Sequence, residues 1–103
     1  MNQSAIVELV LFKLVGGSNE EDFLSAAQGI NPQLEEMHGF IERRLLRNGE
    51  QWVDIVYWDS LEEAQSAAEA IMTLEAGQKF GAFIEQATMQ FMHLHPVDVL
   101  TKA

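Results

Sequence analysis

Hydrophobic and polar positions along this chain alternate between a strand period of two and a helix period near 3.6, and the changes of period divide it into successive elements. Ala5 to Leu14 (AIVELVLFKL) is an apolar, β-branched run ended by Gly16 and Gly17, which predicts a mostly buried first strand. Ser18 then stands where a helix cap belongs, with Glu21 three residues on and Glu20, Glu21 and Asp22 near the positive end of the helix dipole. Phe23, Ala26, Ala27 and Ile30 form its inward stripe. Asn31 and Pro32 interrupt the helical pattern, and Leu34 and Met37 predict that a last turn resumes after a bend.

Gly39 releases the chain into Phe40 to Arg47, and Asn48-Gly49 is a strong hairpin signal before Gln51 to Trp58, so strands two and three are antiparallel neighbours. A loop of Asn48 and Gly49 sets Arg43 opposite Asp54; a loop that includes Glu50 sets Arg44 there instead. Ser60 with Glu63 repeats the capping pattern ahead of Leu61, Ala64, Ala67, Ala68, Ile71 and Met72, a second helix with a small-residue face. After a break near Gly77 a further helical piece holds Phe80, Phe83 and Ile84. Thr88 to His95 makes the last strand, stopped by Pro96.

This order predicts an α+β, ferredoxin-like βαββαβ fold, with a four-stranded antiparallel sheet in the order 4-1-3-2 and the helices on one face. Residues 1–103 are expected to form a single domain, since 103 residues at 48% hydrophobic content leave no room for a second core. On strand one Val7, Leu9 and Leu11 are the charge-free alternate set, which assigns them to the helix side and Ile6, Glu8, Val10 and Phe12 to the other. On strand three the same test turns Val53, Ile55 and Tyr57 inward and leaves Trp52, Asp54, Val56 and Trp58 beside Glu8. An outer face so apolar is expected to be covered by a second copy, as in a homodimer.

Charge narrows the partners. Sixteen acidic against six basic residues give a net charge of −10, which repels nucleic acid and anionic membrane surfaces. Met1 to Ser4 carries no positive charge and the run that follows is broken by Glu8 and Lys13, so neither a signal peptide nor a membrane span is expected. Without cysteine there is no disulfide, thiolate metal site or cysteine nucleophile, which suits a cytoplasmic protein.

LFKL with GGSNEEDF near the start, MHGF before strand two and VDIVYWDSLEEA from strand three into the next helix resemble the dimeric α+β barrel superfamily. The similarity is to its small proteins related to antibiotic-biosynthesis monooxygenases and stress-responsive barrel proteins. It implies two subunits packed sheet against sheet, with a ligand cleft between sheet and helices or beside the interface. Members of the superfamily differ widely in chemistry, and some monooxygenases that this chain resembles oxidise aromatic polyketides without metal or flavin. Trp58 matches the tryptophan of haem-degrading relatives, but their strand-one asparagine and their histidine after the second helix are missing. The histidine that opens stress-responsive members is replaced by Glu8.

The candidate catalytic residues are Glu8, Asp54 and His93, and the candidate ligand-binding residues are Trp52, Trp58, Arg44 and Phe12. Cofactor-free oxygenation needs a pocket for an electron-rich ring, a base and dipoles that stabilise negative charge, which these side chains could supply. A carboxylate among tryptophans is pushed towards a raised pKa and a nearby Arg lowers it, two effects in opposition. His93 and His95 lie two apart and point to one face, assigned to the face of Glu8, but no third ligand can be named and no metal or cofactor is expected. The ordinary structural account is a cross-strand Arg–Asp pair that fixes register. Two readings follow: a small dimeric protein that binds a hydrophobic or aromatic small molecule, monooxygenase-like and without a cofactor, or a non-catalytic dimerisation or stress-associated module with no ligand.

Overall fold

A computed structural model of the chain describes residues 5–102; the expectation for Met1 to Ser4 lies outside them. β1 (Ile6–Phe12), β2 (Phe40–Asn48), β3 (Gln51–Trp58) and β4 (Gln90–Leu94) form one antiparallel sheet in the order β2-β3-β1-β4. This is the order 4-1-3-2 read from the other edge. α1 (Glu20–Gln28) and α2 (Asn31–Glu35) join β1 to β2, while α3 (Leu61–Thr73), α4 (Glu75–Gly81) and a short 3-10 turn (Gln86–Thr88) join β3 to β4.

Local chemistry sets most of the boundaries. Asn19, one residue later than the expected Ser18, caps α1, its side-chain oxygen accepting from the Asp22 N–H at 3.0 Å, while the Ser18 hydroxyl turns back to the Val15 carbonyl. Ser60 caps α3 as expected, accepting from the Glu63 N–H at 3.2 Å and donating its hydroxyl to the Glu63 carboxylate at 3.0 Å. Pro32 sits in the first turn of α2, where its missing N–H costs nothing. The break expected near Gly77 falls at Leu74, which ends α3 and opens α4. Phe83 and Ile84 lie beyond α4, and Ile84 makes an isolated bridge to Leu14.

The hairpin turns on Gly49 and Glu50, because Asn48 still pairs with Gln51. Gly49 has φ +60 and Glu50 does not enter the positive region, the geometry of a turn that takes glycine at its first central position. Neither expected register is therefore formed. Asp54 lies opposite Leu45, Arg43 lies opposite Val56 on the same face, and Arg44 lies opposite Ile55 on the other.

The assignment of faces is the reverse of the expected one. Ile6, Val56 and Trp58 are buried against Ile30, Leu34, Ala64 and Ala67, and Phe12 and Trp52 against Phe23, Ala27 and Ile84. The face that carries Glu8, Trp52, Asp54 and Trp58 is thus the one beneath the helices. Alanines at the helix contacts leave depth that only large sheet-side rings fill. Met72, expected in the core, is 74% exposed. The face left open holds Val7, Leu9, Leu11, Val53, Ile55, Tyr57 and Met92 only half-buried, and Leu46 and Leu94 exposed.

α4 begins hard against the end of α3: a Cβ on Gly77 would lie 2.0 Å from the Ile71 carbonyl oxygen. Gly77→Ala should therefore destabilise the fold by about 1–3 kcal/mol, the usual range for overpacking, read as a lower urea midpoint at unchanged slope. An unchanged midpoint would refute this account of the α3–α4 contact.

Candidate functional site

Two aromatic clusters hold the sheet to the helices, one around Trp58 and one around Trp52. In the first the Trp58 ring meets Phe40 edge-on at 5.8 Å, and in the second Phe23 meets Trp52 at 4.8 Å and Phe12 at 5.9 Å. Between the clusters the sheet presents Glu8, Val10, Asp54 and Val56, side chains shorter than the flanking rings. A cavity of about 430 Å³ remains there, within the size range of small-molecule sites.

Its helix wall is apolar, formed by Ile30, Leu34, Ala68, Ile71 and Phe80 with the backbone of Gly77 and Gly81. Its polar groups are Glu8, Arg43 and Asp54 on the sheet side. The exposed lining residues, Glu69, Met72, Gln86, Met89 and Phe91, mark its mouth. A wider groove of about 830 Å³ between α1 and α4 lacks a comparable buried polar group.

Asp54 is 6% exposed and tied to Arg43 by two parallel bonds, from Nε to Oδ1 at 3.0 Å and from Nη2 to Oδ2 at 2.8 Å. Nη1 of Arg43 continues to the Ala27 carbonyl at 2.7 Å and to Asn31 Oδ1 at 3.0 Å, at the junction of α1 and α2. Phe80 lies under the guanidinium at 5.5 Å. These bonds occupy most of the Arg43 donors, which makes the residue a clamp between edge strand and helix ends. Removing one partner of so buried a pair costs about 3–5 kcal/mol.

Glu8 faces the same cavity and is 9% exposed. Its neighbour across β4 is His93, directly opposite in register, with Nε2 at 3.0 Å from Glu8 Oε1. Phe91 meets the His93 ring edge-on at 5.1 Å and shields it. Burial pushes the Glu8 carboxyl above its ordinary value of 4.5; the His93 hydrogen bond and the His93 and Arg43 charges pull it back only in part, while Asp54 adds to the rise. The result is a buried carboxylate of increased basicity with one fixed hydrogen-bond partner.

The structure thus brings Glu8, Asp54 and His93 together on one face, with Glu8 and Asp54 in the cavity wall and His93 behind Glu8. Phe12, Trp52 and Trp58 are core residues outside the lining, and Trp58 Nε1 is buried without a hydrogen-bond partner among the described residues. Arg44 lies on the open face, paired with Glu42 and mostly exposed. His95 follows β4 and is exposed. Arg43 is one of the two arginines the sequence offers to Asp54, and the structure selects it over Arg44; Phe80, Gly81 and the mouth residues carry no signal of a site in the sequence, and the alanine-rich helix face was the available sign that the large rings of β1 and β3 turn towards the helices. Among the described residues no three His, Cys, Asp or Glu side chains are grouped to hold a metal ion, and no helix is long and apolar enough to cross a membrane.

No protein-family model matches the chain, and no curated protein matches it significantly. Solved structures do. SnoaB from Streptomyces nogalater, a cofactor-independent oxygenase, superposes with a TM-score of 0.80 at 16% identity, covering 96% of this chain and 99% of its own. A monooxygenase of Streptomyces coelicolor in complex with nanaomycin D gives 0.69 at 14% identity, over 98% and 95% of the two chains. A dimeric ferredoxin-like protein from an uncultured marine organism gives 0.67 at 12% identity, over 97% and 94%. The chain has the ferredoxin-like α+β fold of antibiotic-biosynthesis-monooxygenase-like proteins, and the resemblance carried by its motifs is borne out at the level of fold.

The raised Glu8 value has a defined sign. The native state holds this proton more tightly than the unfolded chain, so the stability it contributes is fully present below 4.5 and is lost as pH rises through the native value. His93, Asp54 and Arg43 face Glu8 in wild type and in Glu8→Gln alike. Urea denaturation between about pH 4 and 8 should therefore find wild type losing stability relative to Glu8→Gln as pH rises; a constant difference would refute the burial account.

Proposed function

We propose that this protein binds a hydrophobic, aromatic small molecule in the cavity between sheet and helices, and that Glu8 acts there as the base of a cofactor-free oxygenation. The observation that carries this reading is the cavity itself: an apolar pocket of about 430 Å³, open at its mouth, reaches the buried Glu8 carboxylate held by His93, beside the Arg43–Asp54 pair. A domain that only dimerises would be filled at this place by its own side chains. The chemistry named for the superposed oxygenase and the ligand held by the superposed monooxygenase support the same reading.

A phenolic ring with an adjacent ring methylene fits both wall and base. Glu8 accepts the phenolic proton, and the electron-rich anion becomes able to reduce dioxygen. The methylene gives four electrons; one oxygen atom stays as the new carbonyl and the other leaves with two hydrogens as water. His93 keeps Glu8 in one orientation, and the Arg43–Asp54 pair adds fixed charge without a free counterion. Glu8, Asp54 and Glu69 outnumber the already engaged Arg43 in the lining, so the cavity favours neutral hydroxylated rings over carboxylated ones.

The half-buried apolar sheet face is covered, on this proposal, by a second copy of the chain. It joins Val7, Leu9, Leu11, Val53 and Ile55 into a surface whose residues resemble a cut core, and the dimeric protein that superposes on the chain supports the arrangement.

Titration of the wild type with a neutral dihydroxyanthrone should find binding in the micromolar range, and its carboxylated analogue should bind on the order of tenfold more weakly. Oxygen consumption with the neutral ligand should fall about 100-fold or more in Glu8→Gln, the usual contribution of a general base. No binding of either compound, or an undiminished rate in the variant, would refute the proposal for the cavity or for Glu8 respectively. Sedimentation should give twice the monomer mass for wild type and the monomer mass for Ile55→Lys; a monomeric wild type would refute the paired face.

A further inference from the structure

Two glycines of α4 line the cavity, and they lack a side chain for different reasons. At Gly77 the Ile71 carbonyl leaves no room for one. At Gly81 a Cβ would have no atom within 4 Å, and the backbone is not in the positive-φ region, so any ordinary residue could stand there. Helical glycine weakens a helix, because it gives up the most backbone freedom on folding. Neither packing nor backbone geometry asks for glycine at this position.

The wall around Gly81 is rigid. Its neighbour Phe80 is held over Arg43 at 5.5 Å, edge-on to Phe12 at 5.9 Å and stacked on Phe23 at 5.6 Å. Bulk added at position 81 could not be absorbed by moving that ring. Gly81 lines the cavity, and a Cβ there would stand in open space.

We infer that Gly81 determines the size specificity of the cavity: the bare backbone of α4 admits the far ring of a tricyclic phenol whose hydroxyl reaches Glu8, and a bicyclic phenol does not need that space. The inference rests on the reading of the cavity as a ligand site. It also explains the glycine as stability given up for ligand space, so that a methyl at position 81 should strengthen the helix and weaken the binding of the larger ligand.

Wild type, Gly81→Ala and Gly81→Leu, each as the full chain, are titrated with naphthol and with a dihydroxyanthrone, and their thermal unfolding is recorded. Wild type is expected to bind both. Gly81→Ala should melt a few degrees higher and bind the tricyclic compound on the order of tenfold more weakly, with naphthol affinity unchanged within about threefold. Gly81→Leu should lose the tricyclic compound and keep naphthol. A raised melting temperature in Gly81→Ala separates lost affinity from misfolding, so this variant decides the matter should Gly81→Leu fail to fold. Wild-type affinity for the tricyclic compound in Gly81→Ala would overturn the inference while leaving the cavity reading intact. Failure of wild type to bind either phenol would overturn the cavity reading, and the role of Gly81 with it.

Discussion

The guanidinium of Arg43 ties four consecutive elements of the chain, α1, α2, β2 and β3, together at one point. It reaches diagonally across the hairpin to Asp54 on β3, and its other side bonds the Ala27 carbonyl at the end of α1 and Asn31 at the start of α2. α1 has no basic residue in its last turn, so Arg43 is the cation at the negative end of that helix dipole. A buried pair of this kind adds little net stability over an apolar substitute, but it penalises every register that leaves Asp54 alone. The edge strand and the helix layer are thereby fixed together, and the cavity wall with them.

Around that anchor the molecule divides its large side chains. Trp58 and its partners close one end of the helix–sheet interface, and Trp52 with Phe12 and Phe23 closes the other. The stretch between is lined by apolar residues on the helices and by Glu8 and Asp54 on the sheet. Both carboxylates are tolerated because each has a partner, His93 and Arg43, and because the space before them is not packed with apolar atoms. The same arrangement that braces the fold therefore leaves an open-mouthed cavity beside a basic carboxylate.

The relations among residues along each strand were legible. Alternation put Glu8 with Trp52, Asp54 and Trp58, and His93 was placed on their face, as found. What covers that face is the reverse of what its charge suggests: charge ordinarily marks an exposed surface, and Glu8 and Asp54 are buried as paired groups. The hairpin slipped by one residue for a local reason: only Gly49 takes positive φ, so Asn48 remains in the ladder and Arg43 meets Asp54 on the diagonal.

By itself the sequence determined the succession of elements, the caps near Asn19 and at Ser60, the sheet order and the sharing of one face by the polar residues. These follow from period, turn chemistry and connection rules that act over a few neighbouring residues or through chain topology. Tertiary structure alone decided which face the helices cover, which arginine holds Asp54, and that a cavity stays open beside Glu8. Those outcomes depend on how the volumes of alanine-faced helices and aromatic strands sum across the interface, a quantity that no local pattern contains.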